Sequence, residues 1–424
     1  MNCLFSLLMS AALMAVPSDG VTTVQVKDAT PLIRKDYQTL ARKLAISPAF
    51  VPTSGNEFEK ISSGRRYGDL LYADFRAAKS LIELELFLYG QDPDGEEARD
   101  ILFEKIKEGV EVRYTHDNFG NFFDNIFDGR KVFTGYYDNL AKGGFNMRLF
   151  ARYLAVDPTY TYPAWRNHRK INIIDKQIAY TGGMNITEGS ISGWGDAQLR
   201  ITGPAVQSLR SVLLLNWNDL ARCNAERDEL KLKVVPEAPS GEGKILQVVA
   251  DGADQPAYMA EEAIVWTLEH ARNYVWFETP YFLPSRPIMN AMKKAAARGI
   301  DVRVIVPVDS DLPALDPAFR SSIGECFKNG VKVIYRKPPF NHSKTFLCDD
   351  YILCVGSSNL DKLSLLSLYE VNVYIYDEET AVKQKEYLLE AQEGSTMVDQ
   401  AFIDSWDASE RFKQAMFRVV GHWL

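Results

Sequence analysis

Asn167-His168-Arg169-Lys170-Ile171-Asn172-Ile173-Ile174-Asp175, followed six residues later by Gly182-Gly183-Met184-Asn185, is the stretch that decides the fold. It has a second copy, Asn341-His342-Ser343-Lys344-Thr345-Phe346-Leu347-Cys348-Asp349, followed at the same distance by Gly356-Ser357-Ser358-Asn359. Each marked position recurs 174 residues on: His168 to His342, Lys170 to Lys344, Asp175 to Asp349, Gly182 to Gly356, Asn185 to Asn359. An acid trails each copy in the same register, Asp196 and Glu370. A given His meets Lys at +2 and Asp at +7 only ~0.4% of the time at ordinary residue frequencies. The chain has five His, and two of them do it. A duplicated half-chain explains this, and chance does not.

Working outward, the same order of elements appears upstream of both copies. Tyr67–Lys79 has helical spacing, and Leu81–Tyr89 reads as a strand with Glu83 and Glu85 alternating against leucines. Asp94 is expected to cap a helix running to Ile106, and Val110–Tyr114 is a second strand. In the second half, helix 257–271, strand 274–277, helix 287–297 and strand 301–306 repeat the pattern. Glu85 and Glu278 take the same place in their strands. A β-α-β order implies parallel pairing with a right-handed crossover. The expected division is residues 21–230 for the first half, a Pro- and Gly-bearing linker over 231–244, and 245–424 for the second half.

Composition bounds the function. A chain of 424 residues, 46% hydrophobic and 25% charged, is globular and long enough for two domains. A net charge of −8 argues against nucleic acid as the main partner. The five Cys show neither a CxxC pair nor zinc spacing, so no metal is expected and buried packing is. Residues 1–20 contain an apolar run, Leu4–Val16, too short to span a bilayer but long enough for a signal or anchor core.

The motif has local geometry. Residues at i and i+2 of a strand share a face, so His168 points with Lys170, and His342 with Lys344. Two Lys with Asn185, Asn359 and Ser357 would cradle a phosphate's oxygens. One imidazole can attack phosphorus while the other protonates the leaving oxygen. Asp196 and Glu370 can each hold a His in one tautomer. Asp175 and Asp349 complete the repeated signature and are grouped with the catalytic set, although their place at a turn suggests a structural task.

The doubled HxKx4Dx6GxxN resembles the signature of the phospholipase D superfamily. Four further stretches resemble bacterial cardiolipin synthases: Trp165–Lys170, Tyr180–Asn185, Trp194–Val206 and Thr279–Ser285. The resemblance implies an α/β fold of two similar halves, each a mixed sheet flanked by helices, related by pseudo-two-fold symmetry. It also implies a reaction without metal or cofactor. His168 would attack phosphatidylglycerol, His342 would protonate the departing glycerol, and a second phosphatidylglycerol would accept the phosphatidyl group. Water as acceptor would make the chain a phospholipase D; a nuclease is the remote third reading. A phospholipid substrate, a membrane surface as partner, no nucleic acid, and a place at the bacterial cell membrane are therefore expected. Asn341 and Ser367-Leu368-Tyr369 depart from the usual pattern. Aromatic residues at 119–137 and 160–165, and the spaced Phe412, Met416, Phe417, Val420 and Trp423, are candidates for lipid contact or core.

Overall fold

Seven strands recur in the same order and sense in each half, and the two sets join into one fifteen-stranded sheet. The structure is a computed structural model that describes residues 22–117, 136–150, 166–223, 230, 232–236, 243–308 and 310–420. The first half runs, in spatial order, Thr53–Ile61, Gln198–Thr202, Ile178–Gly182, Ile171–Ile174, Leu81–Leu86, Glu111–Asp117, Asn146–Phe150. The second runs Lys244–Asp251, Glu370–Tyr376, Ile352–Gly356, Thr345–Cys348, Tyr274–Glu278, Asp301–Pro307, Lys332–Arg336, with Thr396–Met397 at the edge. The last three strands of each set are parallel and the others antiparallel. Strands Thr53–Ile61 and Lys244–Asp251 close the seam antiparallel, through a register shift between Lys244 and Leu246.

The expected β-α-β units are present. Gly64–Ala77 precedes strand Leu81–Leu86, and Pro93–Lys107 makes the crossover to Glu111–Asp117. Ala260–His270, Tyr274–Glu278, Arg286–Ala297 and Asp301–Pro307 repeat that order. The cap of the crossover helix is Asp92, not Asp94: Asp92 Oδ1 accepts from Gly95 N at 2.8 Å, with Pro93 at the first helical position. Proline favours that position, where its missing N–H costs nothing, and this moves the cap two residues upstream.

The alternation of Leu81–Leu86 does not mark a solvated face, because all six residues are buried. Glu83 is paired with Arg113 and Arg210, and Glu85 accepts from Asn167 and Asn216. Buried carboxylates require such partners. Part of the expected linker is also structured. Leu232–Pro236 pairs in parallel with Thr22–Val26, and Lys244 already belongs to the seam strand.

One apolar cluster joins the halves. Ile171, Ile173, Leu199 and Ile201 pack in the same core as Leu246, Val355, Val371 and Val373. Helix Ala205–Cys223 adds Leu209 and Leu213. Separate clusters fill the outer layers of each half. This shared core aligns the two histidine strands across the pseudo-two-fold. Cys326, Cys348 and Cys354 are buried and free, as packing residues. The leader, the aromatics at 119–133 and those at 160–165 lie outside the described residues; Phe412 and Met416 are exposed on the helix Ala408–Val420.

Candidate active site

The histidines sit just ahead of short buried strands, and the backbone there crosses between halves. His168 N donates to Tyr369 O at 2.9 Å, and Tyr369 N to Arg166 O at 2.9 Å. In the mirrored place, His342 N donates to Gly195 O at 2.7 Å, and Gly195 N to Phe340 O at 3.0 Å. Each motif is thus tied to the residue that precedes the other half's acid. The side chains cross in the same way. His168 Nδ1 lies 2.9 Å from Glu370 Oε1, and His342 Nδ1 lies 2.9 Å from Asp196 Oδ2. Holding Nδ1 against a carboxylate fixes the tautomer and presents Nε2.

Asp196 needs its glycine neighbour. A Cβ on Gly183 would come within 2.1 Å of Asp196 Oδ1, so the backbone reaches the acid only without a side chain there. The corresponding Ser357 donates its hydroxyl to Glu370, the acid of its own half, and receives Val371 N at 3.0 Å. Ser357 therefore holds the acid and is not presented to a ligand.

Both lysines are buried and fold back on their own motif. Lys170 Nζ donates to His168 O at 2.7 Å and Lys344 Nζ to His342 O. Lys344 Nζ also lies 2.7 Å from His342 Nδ1. Burial pushes Lys170 down to about 7 and Lys344 down to about 8. Burial, then the charges of Lys170, Lys344 and His342, hold His168 well below its ordinary value. Burial and Lys344 also lower His342. Glu370 is pushed up by burial to about 7. The lowered value of His168 keeps that imidazole neutral, the form that can attack phosphorus, whereas at His342 the hydrogen bond and charge of Asp196 oppose the lowering. The reach of these charges across the seam makes one site of the two motifs.

Asn185 and Asn359 are buried beside it. Asn185 Oδ1 accepts from Leu88 N at 3.1 Å, which turns its amide NH2 outward from that bond; Asn359 Oδ1 has no partner among the described residues. Ring faces line the pair unequally: Phe87 meets His168 edge-on at 5.1 Å, while Trp194, Tyr281 and Phe340 surround His342 at 5.8, 6.0 and 6.1 Å.

Asp175 and Asp349 are not brought to the histidines. They lie at the far ends of the same strands, in turns with φ of 48° and 49°. Asp175 accepts from the backbone N–H groups of Lys79, Ser80 and Leu81, and from Ser80 Oγ. Asp349 accepts from the N–H groups of Arg272, Asn273 and Tyr274, and from Tyr37 OH. Grouped with the catalytic set from the signature, both serve as turn staples.

Two pairs went unread in the sequence. Asn167 Nδ2 donates to Glu85 Oε1 at 2.9 Å, and Asn341 Nδ2 to Glu278 Oε1 at 2.9 Å. The Asn before each His and the matched glutamates were the available signal. Asn341, a departure from the usual pattern, is the two-fold mate of Asn167.

Comparison with known proteins bears on the class of protein. Residues 264–391 match the family model described as cardiolipin synthase, PLD-like domain. That stretch of the second half is thus similar to a PLD-like domain. Along most of its length the chain is similar to bacterial cardiolipin synthases. It is 28% identical to that of Oceanobacillus iheyensis over 376 residues, covering 87% of this chain and 75% of the relative. It is 29% identical to cardiolipin synthase 1 of Staphylococcus aureus strain MRSA252, covering 91% and 77%. It is 29% identical to the major cardiolipin synthase of Bacillus subtilis, covering 81% and 70%. The fold is similar to that of phosphatidylserine synthase from Haemophilus influenzae, with TM-score 0.66 at 12% identity over 92% of this chain and 98% of that one. It is also similar to polyphosphate kinase from Porphyromonas gingivalis, with TM-score 0.52 at 13% identity over 91% and 54%.

Proposed function

We propose that the chain is a phosphatidyltransferase that joins two phosphatidylglycerol molecules into cardiolipin and releases glycerol. The observation that carries this is the crossed pairing of His168 with Glu370 and His342 with Asp196, which makes one buried two-histidine site from two half-chains. The similarity to cardiolipin synthases over most of the length supports the substrate class.

In the first step neutral His168 attacks phosphorus through Nε2, the P–O bond to glycerol breaks, and His342, entering the step as an imidazolium paired with Asp196, delivers its Nε2 proton to the departing oxygen. Glu370 stabilises the charge that develops on His168 through Nδ1. In the second step His342 removes a proton from the free glycerol hydroxyl of another phosphatidylglycerol. That oxygen attacks phosphorus, the P–N bond breaks, and His168 is restored. Lys170, Lys344 and the amides of Asn185 and Asn359 carry the charge of the phosphoryl oxygens. The reaction takes place at a membrane surface, where the substrates reside. No helix among the described residues is long and apolar enough to cross a membrane.

The test is to incubate purified protein with vesicles of labelled phosphatidylglycerol and resolve the products. Cardiolipin with one glycerol released per turnover is expected, and neither should form with His168→Ala or His342→Ala. Phosphatidic acid as sole product would make water the acceptor and replace the transfer with hydrolysis. Full activity of either His variant would overturn the mechanism.

A further inference from the structure

The two half-sites are alike in their histidines, lysines and acids, but they differ in what grips the acid from behind. The residue between His and Lys is Arg169 in the first motif and Ser343 in the second. Arg169 does not turn back on its own motif as Lys170 does. Its side chain crosses into the other half, where it is fully buried. Nη1 and Nη2 donate to the two oxygens of Asp254 at 2.7 Å each, in the two-pronged geometry that suits a guanidinium. Nη2 also donates to Asp251 O at 2.7 Å, and Nε to Glu370 O at 3.2 Å. The ring of Tyr369 lies 4.9 Å from the guanidinium carbon. Arg169 therefore grips the main chain of the very residue whose carboxylate orients His168. Ser343 reaches nothing comparable, since its hydroxyl donates to Asn341 Oδ1 within its own motif, 2.9 Å away.

We infer that Arg169 is a positioning residue for the His168 half-site alone: it fixes Glu370 across the seam, a grip that Ser343 does not supply to Asp196. Arg169 touches neither substrate nor phosphorus. Four acceptors in two directions, with a stacked ring, leave the guanidinium one placement, and Glu370 inherits it. A ring displaced by about 1 Å from its line of attack loses on the order of a hundredfold in rate, so rigidity behind the nucleophile is worth a buried arginine. The asymmetry also gives a structural reason for His168, rather than His342, to form the covalent bond. That last point rests on the reading of the chain as a two-histidine phosphodiester-transfer enzyme.

The experiment compares the full-length wild type with Arg169→Met, Arg169→Lys and Asp254→Asn by single-turnover acid quench on labelled phosphatidylglycerol. The rate constant of phosphoenzyme formation and its amplitude are read separately. Arg169→Met is expected to slow the rate constant by roughly tenfold or more at near wild-type amplitude. Asp254→Asn keeps the bond from Nε to Glu370 O and is expected to fall between it and the wild type, with Arg169→Lys recovering only part of the loss. A role confined to folding would lower the amplitude and leave the rate constant alone, and that result overturns the inference. Arg200→Met, which breaks the half-buried Arg200–Asp74 pair away from the site, controls for loss of an ion pair as such and should keep the wild-type rate constant. Should Arg169→Met fail to fold, an Asp254→Asn enzyme with an unchanged rate constant would equally refute the inference. If the wild type forms no phosphoenzyme at all, the functional reading itself fails, which is a different outcome from equal rates in wild type and variants.

Discussion

Replacing Asp349 should cost stability and spare chemistry, although it belongs to the most recognisable signature in the chain. Its carboxylate accepts from Arg272 N at 2.7 Å, Asn273 N at 2.8 Å, Tyr274 N at 3.0 Å and Tyr37 OH at 3.0 Å. In Asp349→Ala the N–H groups of Arg272 and Asn273, on exposed residues, can turn to water. Tyr274 N and Tyr37 OH are buried and cannot, and an orphaned buried donor costs about 1–3 kcal/mol. Placing Ala at φ of 49° adds about 1 kcal/mol. The sum is about 3–7 kcal/mol, a fall in melting temperature on the order of 5 °C or more. Asp175→Ala should cost less, about 2–4 kcal/mol with the same backbone term at φ of 48°, because two of the three N–H groups it holds, those of Lys79 and Ser80, belong to exposed residues. Asn at either position keeps an acceptor and tolerates the backbone, and should recover much of the loss. The assay pairs thermal denaturation with the single-turnover rate constant of the folded fraction. An Asp349 variant that melts like the wild type but loses ~100-fold in rate constant would refute the assignment of this residue to the turn.

Three further outcomes follow from the site. Glu370→Gln and Asp196→Asn leave the crossed contacts in place but can no longer stabilise an imidazolium; each should lower turnover by roughly 10²–10⁴-fold with little change in KM, and a loss under about threefold for both would sink the crossed-pair reading. Between about pH 7 and 8, where buried Lys170 and Lys344 lose their protons in the empty enzyme, kcat/KM should begin to fall as pH rises; a flat profile through pH 9 would remove the lysines from charge stabilisation. The Asp175 carboxyl sits below its ordinary value because backbone and hydroxyl donors from Lys79, Ser80 and Leu81 outweigh the burial that would raise it. A depressed carboxyl contributes its stability above the unfolded value, near 3.9, and loses it as pH falls through the folded one. Acid-induced unfolding followed by circular dichroism should therefore begin at higher pH in Asp175→Asn than in the wild type, and coincident curves would remove Asp175 from the acid response.

The duplication was legible because it is periodic: HxK, Asp, Gly and Asn recur at one offset, and β-α-β units follow from apolar spacing that each half repeats. What spacing could not reveal was the exchange of partners. Asp196 follows His168 in sequence, yet it serves His342, because the backbone at Gly195 pairs with Asn341 rather than with its own motif. The alternation of Glu83 and Glu85 against leucines carries no information about what lies on the polar side; a solvated face and a buried one with arginines and asparagines facing it read identically. Ser357 looked like a phosphate donor by its place in the Gly-Asn loop, but its near neighbour in space is an acid thirteen residues further on.

The crossing has a consequence for how the halves depend on one another. If each His were paired with the acid of its own half, one half-chain would carry a complete orienting pair, and duplication would only double it. Here His168 without the second half has no Glu370 at Nδ1, and His342 without the first has no Asp196. Both imidazoles would then be free to sample the wrong tautomer, and both lysines would lose the burial that the shared core of Ile171, Leu199, Val355 and Val373 provides. The seam is thus part of the chemistry. A substitution that loosens it, even one remote from phosphorus such as at Arg169, acts on the rate before it acts on binding.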